Sequence, residues 1–367
     1  MRQIMDFRAV LGGAEPIGEL FEALEQREGR DGRDLPIARG SWRRPAADRR
    51  LSPLEALDGL KAAAGLPAHL RVGTERFEEV SVRLDPKSET YWCTMAPTGR
   101  PSYTPGLLRG LQAMQRSLVS LFADTPDGGV PPFRYFVVGS SHPGVFNLGG
   151  DLALFGACIK AGDRAGLSAY ARSCIEVVYA NHENYGLPIV TIGLVQGDAL
   201  GGGFEAALSC DVVVAERGTK CGFPEVLFNL FPGMGAYSFL SRKLPGAAMR
   251  EMIESGRLYD AEELAELGLV DVLADPGEGA AAVEAYVARN CKRHNAHAAM
   301  YAAARRARPL PFVEMVDIVE MWVDAAMSLG AADLRKMERL VAAQDRRRAQ
   351  AAGHGSGVGR GTAGAIA

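Results

Sequence analysis

The chain has no CxxC pair among its six cysteines, no apolar run approaching roughly 18 residues, and no Gly-x-Ser-x-Gly elbow. The first absence excludes a zinc ribbon and a disulfide framework, so Cys93, Cys158, Cys174, Cys210, Cys221 and Cys291 read as reduced, mostly buried thiols. The second leaves no expected membrane span, and the mixture of Arg2, Asp6 and Arg8 with apolar residues in the first ten positions leads us to expect a cytoplasmic address. The third leaves a Ser-His-Asp hydrolase without support. A large excess of one charge is missing too. At a formal net charge of -3 there is no general electrostatic footprint for nucleic acid, and Arg43-Arg44, Arg49-Arg50 and Arg346-Arg347-Arg348 read as solvated faces. His294 and His297 share a helical pattern at a spacing of three but lack a third ligand, while His142 and His182 lie near loops, so no metal is expected.

What is present suits a folded enzyme. With 367 residues, 47% apolar and 23% charged, the chain can bury a sizeable core, and one main domain with extensions is the simplest organisation. Residues 1–70 are rich in Arg, Gly, Pro and Ala, with short helical patterns near residues 17–24 and 53–57, and read as a weakly structured extension. Partial alternation over residues 77–95 around Asp85-Pro86-Lys87-Ser88 predicts a β-hairpin. Thr104 before Pro105 reads as a helix cap, and Leu107, Leu108, Leu111, Met114, Leu118 and Leu121 continue at helical spacing to about Ala123. Buried strands are expected at residues 135–139, 187–195 and 211–216, with helical stretches over 152–184 and 203–209 between them. This alternation implies an α/β core with crossover connections. Residues 245–345 read as almost wholly helical, and the Gly/Ala tail 351–367 as disordered.

Two carboxylates carry the chemical signal. Glu205, at the opening of an apolar helix, and Glu225, past the next strand in Phe223-Pro224-Glu225, could face one cavity and supply a proton acceptor and a proton donor. Gly201-Gly202-Gly203 lie between strand and helix, where bare backbone approaches a ligand closely and the first helical N–H groups are free. Close packing of helix on strand is the plain alternative. A second loop, Phe146-Asn147-Leu148-Gly149-Gly150-Asp151-Leu152, could bring another N–H to the same oxygen. Two such donors make an oxyanion hole, each worth roughly 3–4 kcal/mol when removed. Asp151 reads as the cap of the following helix.

Taken with Cys210-Asp211, these segments resemble the crotonase (enoyl-CoA hydratase/isomerase) superfamily over roughly residues 77 to 275. Ser255-Gly256-Arg257, Asp260-Ala261-Glu262-Glu263-Leu264 and Gly268-Leu269-Val270-Asp271 extend the likeness. The resemblance implies a ββα-repeat spiral core over 71–275, a helical region over 276–350, oxyanion N–H groups at Gly150 and Gly202, and an acid/base pair at Glu205 and Glu225. It implies substrate contacts from Asn147, Leu148, Gly149, Leu227, Phe228, Gly233 and Met234, with Leu148, Leu227, Phe228 and Met234 as candidate tunnel walls, though such residues are more often plain core.

Finer features resemble diffusible signal factor synthases: Tyr91-Trp92, Thr104-Pro105, the Phe146 to Leu152 loop, the long 152–186 connection, and Asn229 through Tyr237. That likeness implies dehydration of a 3-hydroxyacyl thioester, carried on acyl carrier protein, to a cis-2-enoyl product, followed by hydrolysis to the free acid. An ordinary hydratase or isomerase of coenzyme A esters is the alternative. No cofactor is implied, and a homotrimer or hexamer is. The first 70 residues depart from compact synthases of that group and leave regulation, a protein partner or a misassigned start codon open. Two rivals remain: a nicotinamide-dependent oxidoreductase using Gly201, Gly203 and Ala206 with Glu216 on the ribose, and a non-catalytic binder.

Overall fold

The hairpin strands β1 (Val80–Asp85) and β2 (Thr90–Met95) pair antiparallel. Asp85 closes their turn by accepting the Lys87 N–H at 2.9 Å and the Ser88 hydroxyl at 2.7 Å. The computed structural model describes residues 67–125 and 129–342, so the expectations for the N-terminal extension up to residue 66 and for the Gly/Ala tail lie outside the described residues. A short helix, α1 (Ala68–Thr74), precedes the hairpin. Helix α2 (Pro105–Ala123) follows it and is capped as its sequence requires, Thr104 Oγ1 accepting the Leu107 N–H at 3.1 Å.

From there the chain winds in β–β–α turns. Strand β3 (Tyr135–Ser140) is followed by β4 (Val145–Asn147), β5 (Val190–Val195) by β6 (Asp198–Leu200), and β7 (Val212–Glu216) by β8 (Lys220–Gly222). The first strand of each turn joins a six-stranded sheet of order β1-β2-β3-β5-β7-β10, where β10 is Val272–Ala274; past the hairpin all its pairings are parallel. The second joins a four-stranded sheet, β4-β6-β8-β9, whose last strand is Leu258–Asp260 and runs antiparallel to β8. The α/β class and the repeating ββα spiral expected from the sequence are what the chain forms. All six residues of β5 are buried, the signature of a parallel strand covered on both faces.

The helical stretch over 152–184 is two helices, α3 (Leu152–Ala161) and α4 (Arg164–His182). They part where Gly162 takes a left-handed conformation at φ 67° and Asp163 accepts the Gly166 N–H to start the next helix. Helix α5 (Gly202–Leu208) opens with the triple glycine, and α6 (Ala236–Lys243), α7 (Gly246–Glu254) and α8 (Ala261–Glu266) come after β8. Residues 245–345 are not wholly helical, since β9 and β10 interrupt them; strands of three residues are too short to display alternation. Beyond β10 the chain is helical as expected: α9 (Gly279–Asn290), α10 (His294–Ala307), α11 (Phe312–Met327) and residues 331–342.

Buried Asp211 ties α10 to the core, pairing with Arg305 and accepting from Asn184 Nδ2 at 2.7 Å and the Thr191 N–H at 3.1 Å. The His294 ring meets the Arg134 carbonyl at 3.0 Å and packs edge-on against Tyr135. All six cysteines are free; Cys93, Cys174, Cys210 and Cys221 are buried. Among the described residues no helix is long and apolar enough to cross a membrane.

Candidate active site

Glu205 lies in the first turn of α5, a helix buried along its whole length, and is itself 1% exposed. Its Oε1 accepts the Ala236 N–H at 2.7 Å, and the Met234 and Gly235 N–H groups also favour its charge. Desolvation works against them and pushes its pKa up to about 7. Glu225 sits at the start of the 3-10 segment Pro224–Phe228. Its Oε1 rests so closely on Gly201 that a Cβ there would lie 2.1 Å from it, and its Oε2 is buried with no hydrogen-bond partner. Burial first, and then the neighbouring Glu205 charge, push it up to about 8. The two carboxyls therefore differ: one collects three backbone donors at the start of α6, the other has only its own backbone N–H and feels the first.

Two glycine loops meet above this pair. A Cβ on Gly149, at φ 84°, would lie 2.7 Å from the Leu200 carbonyl oxygen and 2.9 Å from the Gly202 nitrogen. A Cβ on Gly203 would lie 2.0 Å from the Asn147 carbonyl oxygen, so the loops interlock only because both are bare. In the first loop the Leu148 N–H goes to the Pro101 carbonyl at 2.7 Å, the Gly149 N–H to Asn147 Oδ1 at 2.8 Å, and the Asp151 N–H to the Tyr170 hydroxyl at 2.9 Å. Among the described residues the Gly150 N–H has no acceptor. In the second loop the Gly201 N–H goes to the Gly222 carbonyl at 2.8 Å, while the Gly202 N–H, first in α5, has no acceptor within its helix. Asp151 caps α3 as expected, accepting from the Ala153 and Leu154 N–H groups at 3.1 Å each.

A cavity of about 270 Å³ joins these groups. Gly150, Gly202, Glu205 and Glu225 line it, together with Leu148, Leu227, Phe228, Gly233 and Met234. Asn147 and Gly149 do not. Both stand behind the wall, where Asn147 holds the Gly149 N–H and Gly149 packs on Gly201 and Gly202. The rest of the lining is mostly apolar, with Phe155, Tyr170, Cys174, Trp322 and Leu340 prominent. Trp322 packs edge-on against Phe155 at 4.9 Å and lies where a Gly233 Cβ would come within 2.5 Å of its ring.

Comparison with known proteins follows the same outline. Residues 131–307 match the family model described as enoyl-CoA hydratase/isomerase. Human methylglutaconyl-CoA hydratase, mitochondrial, is 30% identical over 246 residues, which span 64% of this chain and 67% of that protein. The chain belongs to the enoyl-CoA hydratase/isomerase family. The methylglutaconyl-CoA hydratase of Mus musculus is 32% identical over 176 residues, and there the chain spans about half the relative, 54% of its length and 47% of its own. Among solved structures, DspI of Pseudomonas aeruginosa is similar with a TM-score of 0.54 and 25% identity, covering 74% of this chain and 98% of that one. Human mitochondrial delta3-delta2-enoyl-CoA isomerase shares the fold, with a TM-score of 0.58 at 19% identity over 73% of this chain and 98% of that one.

Within this enoyl-CoA hydratase/isomerase fold, Glu216 has a structural occupation that leaves no carboxylate for a ribose. It accepts the N–H groups of Gly277 at 2.9 Å and Gly279 at 3.0 Å, and Gln196 Nε2 at 3.2 Å, sealing the turn before α9. The nicotinamide reading of Gly201, Gly203 and Ala206 loses its acidic partner. Sequence reasoning missed Phe155, Tyr170, Cys174, Trp322 and Leu340 as cavity residues. Each sits in a helix whose apolar spacing satisfies a core face equally well, so no local signal separates lining from packing.

Proposed function

We propose that this chain dehydrates 3-hydroxyacyl thioesters and then hydrolyses the 2-enoyl thioester, releasing a diffusible cis-2-unsaturated fatty acid. The observation that carries the reading is the pair of unequal carboxyls on a mostly apolar cavity, beneath two glycine loops that each offer an unclaimed N–H. An acyl chain suits the apolar lining, and the loops suit a thioester oxygen on which negative charge develops.

The inequality of the carboxyls supports their roles. Glu205, stabilised by three backbone donors, is the carboxylate that removes the α-proton; Glu225, with only its own backbone N–H and beside that charge, is the acid that protonates the departing β-hydroxyl. The electron pair of the Cα–H bond forms the C=C bond as the Cβ–O bond breaks, and water is released. Glu205 is then protonated and Glu225 ionised. In the second reaction Glu225 takes a proton from water, whose oxygen attacks the thioester carbonyl while the Gly150 and Gly202 N–H groups hold the resulting oxyanion. Collapse breaks the C–S bond, Glu205 returns its proton to the leaving thiolate, and both carboxyls regain their starting states.

The carrier of the acyl group is proposed to be an acyl carrier protein, on the motif likeness to signal synthases. The coenzyme A hydratase reading stands beside it because the relatives described above are named for coenzyme A substrates. Mass spectrometry of the protein incubated with a 3-hydroxyacyl carrier protein and, separately, the 3-hydroxyacyl-coenzyme A ester decides between them. Free cis-2-enoic acid, made preferentially from the carrier protein and lost in Glu205→Ala and Glu225→Ala, is the expected result. Only reversible hydration of a trans-2-enoyl-coenzyme A ester would give the site to a metabolic hydratase, and turnover of neither would remove the acid/base assignment. Assembly as a homotrimer or hexamer is proposed on the family likeness, and a solution mass at three or six times 39.2 kDa tests it.

A further inference from the structure

We infer that Tyr170 is a positioning residue that aims the Gly150 N–H into the cavity; the inference rests on the oxyanion role proposed above. The phenol reaches the loop from α4 and lies between two backbone groups. It donates to the Tyr103 carbonyl at 2.6 Å and accepts the Asp151 N–H at 2.9 Å. Tyr103 in turn sends its own N–H to the Gly149 carbonyl at 2.8 Å, so residues 101–103 and 148–151 lie side by side as a short parallel bridge.

Peptide planarity turns these bonds into an orientation. The Gly149 carbonyl and the Gly150 N–H belong to one trans peptide and point in opposite directions. With the carbonyl held toward Tyr103, the N–H is directed away from it. The next peptide, between Gly150 and Asp151, is held by the Tyr170 hydroxyl. Gly150 has no Cβ to restrict its own dihedrals, so its conformation depends on having the planes on both sides fixed. A Cβ at this position would meet the Phe155 ring at 2.3 Å, which means that no other residue fits there without displacing that ring. Tyr170 packs edge-on against the same ring at 5.5 Å, and both aromatic side chains line the cavity. A phenol hydroxyl serves a carbonyl and an N–H at once because it donates and accepts through one atom.

Tyr170→Phe removes that atom and keeps the ring. The test measures kcat and KM of the variant on the 3-hydroxyacyl thioester and its affinity for two coenzyme A probes: a saturated acyl ester, held by apolar contact, and a 3-oxoacyl ester, whose enolate places charge at the thioester oxygen and absorbs in the near ultraviolet. We expect kcat to fall about 10- to 100-fold with KM within about twofold, and the bound enolate signal to weaken by a similar factor while the saturated ester binds as before. Unchanged kcat and unchanged enolate signal would overturn the positioning role. Equal loss of both probes together with a lowered Tm would also overturn it, since a merely structural tyrosine behaves that way. Wild-type protein that neither turns over the substrate nor perturbs the 3-oxoacyl ester would instead defeat the proposed function, and this inference with it.

Discussion

Glu225→Gln should cost activity and add stability, and the second effect should depend on pH in a way the geometry fixes. Glu225 places a carboxyl against Gly201 with Oε2 buried and unpartnered, beside the charge of Glu205. Native Glu225 and Glu205 keep protons up to about pH 8 and about pH 7, whereas an unfolded glutamate releases its proton near pH 4. Between those limits the native state binds more protons than the unfolded one, so stability is greatest at low pH and falls as the pH rises through the native values. For Glu225 the full displacement is worth on the order of 5 kcal/mol above pH 8. Glutamine removes that penalty but leaves an amide in the same poorly partnered place, which costs about 1–3 kcal/mol. The net expectation at pH 9 is a gain of about 2–4 kcal/mol, a Tm higher by about 3–7 °C for a chain of this size, and no gain at pH 4. Thermal melts of both proteins from pH 4 to 9 give the difference curve directly. The other carboxyls whose native pKa is raised, Asp211 and Asp271 among them, affect both proteins alike and cancel. Over the same range kcat should be lower by about 10²–10⁴-fold. A difference curve flat in pH would refute the claim that Glu225 is held protonated by its surroundings.

Further outcomes follow from the same contacts. The rate of dehydration should be bell-shaped in pH with its maximum between about 7 and 8, because the active form carries one proton on the pair; the limbs report the pair rather than either residue, and a rate flat from pH 5 to 9 would exclude it. Gly203→Ala should force the two loops apart, since its Cβ would lie 2.0 Å from the Asn147 carbonyl oxygen; about 1–3 kcal/mol of stability and most of the activity should be lost, read by denaturant titration and turnover. Trp322→Ala should destabilise by about 3–5 kcal/mol and shift the preferred acyl chain to bulkier or longer members, measured by kcat/KM across a chain-length series. Glu216→Ala should cost about 1–3 kcal/mol by orphaning the Gly277 and Gly279 N–H groups, with kcat unchanged; a fall in kcat at constant Tm would return this carboxylate to the chemistry.

The parts of this protein legible in its residues are those that depend on neighbours along the chain. The Asp85 turn, the Thr104-Pro105 helix start, the Asp151 cap and the long apolar strands all follow from bonds made within a few residues, and each appears at its expected place. The glycine loops and the two glutamates were visible as motifs because close backbone approach and acid/base chemistry demand those residue types. Tertiary structure decided what those residues meet. The strands of the second sheet have three residues each, too few for a period, and exist only because each finds a partner from another turn of the spiral. The division of 152–184 into two helices needed the left-handed Gly162, a choice open to any glycine in sequence. Above all, the unequal surroundings of Glu205 and Glu225 come from the N-terminus of α6 reaching one carboxyl, while no donor from a distant segment reaches the other, whose Oε2 is unpartnered. Protonation is set by desolvation and by donors brought from distant segments, and neither quantity is written in the order of the residues.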